Sequence, residues 1–122
     1  MTSTRIKTVF VVEDDPGVRA LLERVLGALY NLRTFESGRD ALDALQTLTP
    51  DVLLTDLGMP DISGEDLASV AVQLVPRPRV VAMSGDRRRL RMAAQFAEAT
   101  VPKPFAIPAL IGAMEAEDPL PS

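Results

Sequence analysis

The sequence predicts an α/β fold: a doubly wound, five-stranded parallel sheet with helices on both faces. Residues 8–12 (TVFVV), 51–56 (DVLLTD) and 79–83 (RVVAM) are short apolar runs, rich in β-branched residues, of the kind that suits strands covered on both sides. Between them, apolar residues recur at helical spacing behind Ser, Asp and Pro start signals. Strands that alternate with helices are joined by right-handed crossovers, and the strands then run parallel.

Each element has a local reason. Residues 8–12 end in Glu13, Asp14 and Asp15, and Pro16 suits the first turn of a helix that Asp15 caps. Val18, Leu21, Leu22, Val25, Leu26 and Leu29 give that helix one apolar face. Residues 30–35 form a short strand. Ser37 with Asp40 makes a capping box for a helix through Ala41, Leu42 and Leu45. The strand at 51–56 stops at Asp56, where Gly58 and Pro60 break regular structure. Ser63 and Asp66 open the next helix, with Leu67, Val70, Ala71 and Leu74 inward, and Pro76 and Pro78 end it. After 79–83, the turn at Ser84, Gly85 and Asp86 leads into a helix reaching about Ala97, with Leu90, Ala94 and Ala97 as its buried face. Residues 99–101 are a brief fifth strand and 106–115 a last helix. The sequence shows no repeat and no linker. Residues 1–122 read as one domain, with a core at about 7–116 and a frayed tail at 117–122.

Composition narrows the function. There is no cysteine and no histidine, so a bound metal must be a hard cation held by oxygen. A net charge of −4 argues against nucleic acid as the partner of this domain. No apolar run approaches the ~20 residues of a membrane span, and the first residues lack a signal peptide's apolar core, so a cytoplasmic protein with no membrane contact is expected.

The chemistry emerges where the strands end. Glu13 and Asp14 follow the first strand, Asp56 closes the third, Ser84 follows the fourth and Lys103 the fifth. A parallel sheet brings these side chains to one edge, the edge at which open α/β sheets bind ligands. Packed carboxylates repel one another and call for protons or a cation. Mg²⁺ suits the set, because it takes few protein carboxylates and keeps water and phosphate oxygens in its shell. With a lysine and a hydroxyl added, the edge becomes a cradle for a phosphoryl group. No glycine-rich nucleotide loop is present.

Glu13-Asp14, Asp56-Leu57-Gly58-Met59-Pro60, Ser84-Gly85 and Lys103-Pro104-Phe105 resemble the motifs of two-component response regulator receiver domains, of the single-domain, chemotaxis-regulator-like kind. The resemblance covers about residues 7–116, and motifs in this order at these strand ends are specific. It implies sheet order 2-1-3-4-5, the flavodoxin-like arrangement. It also implies that Asp56 takes a phosphoryl group from a histidine of a sensor kinase or a histidine phosphotransfer protein. Such a domain catalyses only its own phosphorylation and dephosphorylation. Asp14 would ligate Mg²⁺ (or Mn²⁺) directly and Glu13 through water, with Asp56 and the Gly58 carbonyl completing the protein's share. Ser84 and Lys103 would each contact a phosphoryl oxygen, and Lys103–Pro104 would be a cis peptide.

Some positions depart from the family pattern. Glu13 and Ser84 replace the commoner Asp and Thr. Gly58 carries no side chain, which eases the approach of water to an acyl phosphate. Thr100 stands where many relatives have an aromatic switch residue, so the switch should run mainly through the loop from Ser84. Arg87, Arg88, Arg89 and Arg91 place four positive charges within five residues, and Arg87, Arg88 and Arg91 should project towards an acidic partner surface. Two other functions stay open: a phosphorelay intermediate that passes its phosphoryl group to a histidine phosphotransfer protein, and a small hydrolase with Asp56 as nucleophile.

Overall fold

In the computed structural model, which describes residues 5–116, apolar runs and amphipathic stretches alternate as five strands and five helices. The expected frayed tail at 117–122 lies outside the described residues. The strands are β1 (Thr8–Val12), β2 (Asn31–Phe35), β3 (Val52–Asp56), β4 (Arg79–Ser84) and β5 (Ala99–Pro102). The helices are α1 (Pro16–Leu26), α2 (Gly38–Leu45), α3 (Gly64–Ala71), α4 (Arg87–Ala93) and α5 (Ile107–Glu115). All strands are parallel, in the order β2-β1-β3-β4-β5.

Side chains alternate across the sheet, so each strand feeds two cores. Val9, Val11, Val52, Leu54, Val81 and Met83 pack against Leu22 and Leu26 of α1 and Leu110 and Met114 of α5. On the other face, Phe10, Val12, Leu53 and Val80 meet Ala41 and Leu45 of α2 and Leu67, Ala68 and Ala71 of α3. Leu90 and Ala93 of α4 cover Leu57 and Ala82. Burial of each large aliphatic side chain stabilises the fold by roughly 1.5–3 kcal/mol. Emptying one, as in Leu54→Ala, costs on the order of 2–5 kcal/mol.

The caps form as read. Asp15 Oδ1 accepts from the N–H groups of Gly17 (2.8 Å) and Val18 (3.1 Å). Ser37 and Ser63 accept from the N–H groups of Asp40 and Asp66, each at 3.1 Å.

Three helix readings need correction. α1 stops at Leu26, because Gly27 caps it and Tyr30 N–H returns to the Leu26 carbonyl. Leu29 therefore lies in a turn at 51% exposure, and Leu21, on the margin of the apolar stripe, is 47% exposed. α3 buries Ala68 rather than Val70 and ends at Ala71, before Leu74. α4 ends at Ala93, after which the N–H groups of Phe96 and Ala97 both turn back to the Ala93 carbonyl. Its buried pair is Leu90 and Ala93, three residues apart on one face, while Ala94 is exposed.

Candidate functional site

Register puts the chemistry in one place. Val12 lies opposite Thr55, Asp56 opposite Met83, and Ser84 opposite Pro102. The residues that follow these positions share the C-terminal edge of the sheet.

Glu13 prolongs β1 by donating its N–H to the Phe35 carbonyl at 3.0 Å. Its side chain is completely buried. One carboxylate oxygen accepts from Asp15 N–H at 3.2 Å and the other from Lys103 Nζ at 2.6 Å. Burial pushes the Glu13 carboxyl above its usual range, and the nearby Asp56 charge adds to this, although Lys103 and the Asp15 N–H oppose it. Asp14, next in the chain, is exposed.

Asp56 is almost fully buried at the end of β3. Its Oδ1 accepts from Gly58 N–H at 3.1 Å and its Oδ2 faces Lys103 Nζ at 3.2 Å. The loop beyond it is held by close packing against α3. A Cβ on Gly64 would stand 2.8 Å from Leu57 Cα, so only glycine lets α3 start so near the strand end. Asp61 ties the same loop to α2 by accepting from the N–H groups of Gly38 (3.1 Å) and Arg39 (2.9 Å).

Lys103 bridges the two buried carboxylates. Burial pulls its pKa down, but the hydrogen bond from its ammonium to Glu13 and the Asp56 charge leave it raised on balance. The Lys103–Pro104 peptide is cis, as the resemblance implied; Val75–Pro76 is a second, which no sequence signal announced. An apolar cavity of about 400 Å³ adjoins the lysine, lined by Val18, Leu21, Pro104 and Phe105. Ser84 is buried, and its Oγ accepts from Asp86 N–H at 3.0 Å.

Glu13, Asp14 and Asp56 each present a carboxylate oxygen within 4.8 Å of the others. Three carboxylates against one ammonium leave two formal negative charges, the complement of one divalent cation. An all-oxygen donor set of this charge fits Mg²⁺.

The structure thus brings together Glu13, Asp14, Asp56, Ser84 and Lys103, with Gly58 beside them. Thr100 lies in mid-strand on the edge strand β5, half-buried opposite Ala82. Arg87, Arg88 and Arg91 are exposed as expected. Arg89 is not one of that set, and its role escaped the sequence reading. Its guanidinium crosses to the β3–α3 loop, donating to the Leu57 carbonyl at 2.6 Å and to both Glu65 oxygens at 2.8 and 3.1 Å. Its Nη1 borders the open space above Gly58, 3.7 Å from where a Cβ there would stand, which is ordinary contact. Asp86 also settles the start of α4, where its Oδ1 accepts from the N–H groups of Arg88 and Arg89. The only local hints were Asp86 at a capping position and an arginine three residues after it.

Comparison with known proteins agrees with this geometry. Residues 9–115 match the response regulator receiver domain family. The DNA-binding transcriptional regulator NtrC of Klebsiella pneumoniae is 39% identical over 102 residues, covering 80% of this chain and 22% of that protein. A protein-glutamate methylesterase/protein-glutamine glutaminase of Myxococcus xanthus is 38% identical over 106 residues, covering 81% of this chain and 30% of that protein. The chain thus spans about a quarter of the length of the curated relatives it matches. Among solved structures, the chemotaxis response regulator CheY4 of Vibrio cholerae superposes with a TM-score of 0.81 at 20% identity, over 91% of this chain and 98% of that one, a likeness of fold. With its flavodoxin-like sheet and its acidic pocket at the strand ends, the chain belongs to the receiver domains of two-component response regulators.

Proposed function

We propose that the chain accepts a phosphoryl group from a histidine of a sensor kinase onto Asp56, in a Mg²⁺-dependent reaction, and changes conformation to signal to a protein partner. One observation carries this reading: Asp56 lies with Glu13 and Asp14 in a triad whose oxygens are within 4.8 Å, and Lys103 Nζ is 3.2 Å from its Oδ2. Asp14, Glu13, Asp56 and the Gly58 carbonyl would hold the metal, which when bound supplies positive charge to the oxygens of the transferring group.

The chain's own residues do the rest. Gly58 N–H holds Asp56 Oδ1, so the carboxylate presents a fixed face to the incoming phosphorus. An Asp56 oxygen forms the new bond to phosphorus as the donor histidine nitrogen departs with its electron pair. Lys103, already anchored by Glu13, then pairs with one phosphoryl oxygen. Ser84 Oγ would leave Asp86 N–H and donate to another. Residues 1–122 act here as a single receiver unit, and the exposed Arg87, Arg88 and Arg91 offer a positive surface to an acidic partner. Charge reversal at those arginines should weaken binding to the partner.

Acetyl phosphate with Mg²⁺ tests the reading by intact-mass spectrometry. One phosphoryl adduct is expected, absent in Asp56→Asn. No adduct, or one that survives Asp56→Asn, removes the assignment, and steady turnover of a phosphate ester would point instead to a hydrolase. Onward transfer to a histidine phosphotransfer protein would make the chain a relay intermediate.

A further inference from the structure

The site contains a second cation that the family motifs do not include. Arg89 sits in the first turn of α4, yet its guanidinium lies against the β3–α3 loop, where Leu57 O and Glu65 hold Nη2 and Nε. Among the described residues, Nη1 has no hydrogen-bond partner. A methyl group placed on Gly58 would lie 3.7 Å from that Nη1 and 3.8 Å from Asp56 Oδ1. Arg89 therefore borders the sector beside the acceptor into which a side chain at position 58 would project.

We propose that Arg89 is a second phosphoryl-positioning residue, opposite Lys103, and that it sets the lifetime of the aspartyl phosphate, with Glu65 restraining it. The inference rests on Asp56 being the acceptor. Lys103 reaches the Oδ2 side of the Asp56 carboxylate, and Arg89 borders the Oδ1 side. A phosphoryl group on Asp56 then has the Lys103 ammonium on one side and the uncommitted Nη1 of the Arg89 guanidinium on the other, each able to make a charge-assisted hydrogen bond.

Hydrolysis of the adduct forms a bond from a water oxygen to phosphorus and breaks the bond from phosphorus to the Asp56 oxygen. The electron pair returns to the carboxylate, and both water protons leave on dihydrogen phosphate. Water needs an open approach to phosphorus, and a guanidinium drawn from the border of Gly58 onto a phosphoryl oxygen narrows that approach. Glu65 competes with the phosphoryl group for the same guanidinium, so the ion pair limits how far Arg89 can move in.

The two partners of the ion pair should act with opposite sign, which a purely structural clasp would not do. After loading with acetyl phosphate and Mg²⁺ and removal of the donor, loss of the adduct is followed by intact-mass spectrometry. Arg89→Ala is expected to shorten the lifetime about three- to tenfold, the scale of one partly exposed charge-assisted contact. Glu65→Gln, which loosens the hold on the guanidinium, is expected to lengthen the lifetime. Gly58→Lys in the Arg89→Ala background should restore much of the loss, since a Cβ fits at position 58 in ordinary contact. Arg89→Gln, which keeps part of the stem but loses the charge and the reach of Nη1, is read in its place where Arg89→Ala melts below the assay temperature, with shortening again expected. An unchanged lifetime in Arg89→Ala and Arg89→Gln, or equal shortening by Arg89→Ala and Glu65→Gln, overturns the proposal. A wild-type chain that takes no adduct overturns it together with the acceptor assignment.

Discussion

Lys103 Nζ lies 2.6 Å from Glu13 Oε1, so the ammonium that would meet a phosphoryl group is already anchored by a completely buried carboxylate. It also absorbs part of the repulsion between Glu13 and Asp56. What remains is the charge of Asp14 and one further carboxylate, and a divalent cation should bind the folded chain selectively. Mg²⁺ at a hundredfold excess over its dissociation constant should stabilise the fold by about 2.7 kcal/mol. Asp14 is exposed, so Asp14→Ala should shift the metal-free melting temperature little while abolishing the response to Mg²⁺. Thermal melts with and without the metal check this, and a persistent response in Asp14→Ala would count against that ligand.

Removing the anchor should be costly. Lys103→Met leaves the buried Glu13 carboxylate without its cation, at a loss of roughly 1–3 kcal/mol in denaturant unfolding. Adding Glu13→Gln should recover part of it, since the neutral amide needs no counter-charge. A double variant no more stable than Lys103→Met would show that the pair is not the source of the loss.

Gly64 is a packing requirement. A Cβ there would approach Leu57 Cα at 2.8 Å and Leu57 Cδ2 at 3.0 Å, so the loop after Asp56 must move. Gly64→Ala should lose about 1–3 kcal/mol. The displaced loop should also slow phosphorylation by acetyl phosphate. Wild-type stability and rate in this variant would mean that α3 can shift freely.

The switch should pass through Asp86. Ser84 Oγ accepts from Asp86 N–H, and Asp86 Oδ1 caps α4 through Arg88 and Arg89. Drawing the hydroxyl towards a phosphoryl group releases the Asp86 amide and loosens that cap. Thr100 has no ring to follow and a stiff χ1. Amide exchange with beryllofluoride should therefore rise at residues 85–89 and hold steady near Thr100. Changes concentrated at Thr100 would refute this route.

Asp51 gives the acid limb a defined contributor. Its carboxyl lies below the usual range because of its hydrogen bond with Arg5, with help from Thr8 N–H at 2.8 Å, burial opposing. A lowered carboxyl stabilises the fold fully above its ordinary pKa of 3.8, and that stability is lost as pH falls through the lowered value. Asp51→Asn should be less stable than wild type at pH 7, with the gap closing towards pH 2. A gap that does not depend on pH would assign the effect to shape rather than charge.

By itself the sequence determined the alternation of strands and helices, and with it which residues stand at the strand ends. Those features are local: an apolar run such as TVFVV, a capping serine or a stopping Gly58 acts within a few residues of chain. Glu13, Asp14, Asp56, Ser84 and Lys103 could be read as one set because a parallel sheet sends every strand's C-terminal end to the same edge. Where α4 ends and which face it buries could not be read that way. Three- and four-residue spacings of small apolar residues serve equally well until Leu57 and Ala82 are there to be covered. The tertiary structure alone decided that Arg89 reaches Glu65, 24 residues away, and that Asp61 accepts from Gly38, 23 residues away. Neither pairing has a local signature. An arginine in a charge run looks solvated, and an aspartate in a loop looks like a turn, until close packing at Gly64 and Gly38 presses the β3–α3 loop against its neighbours.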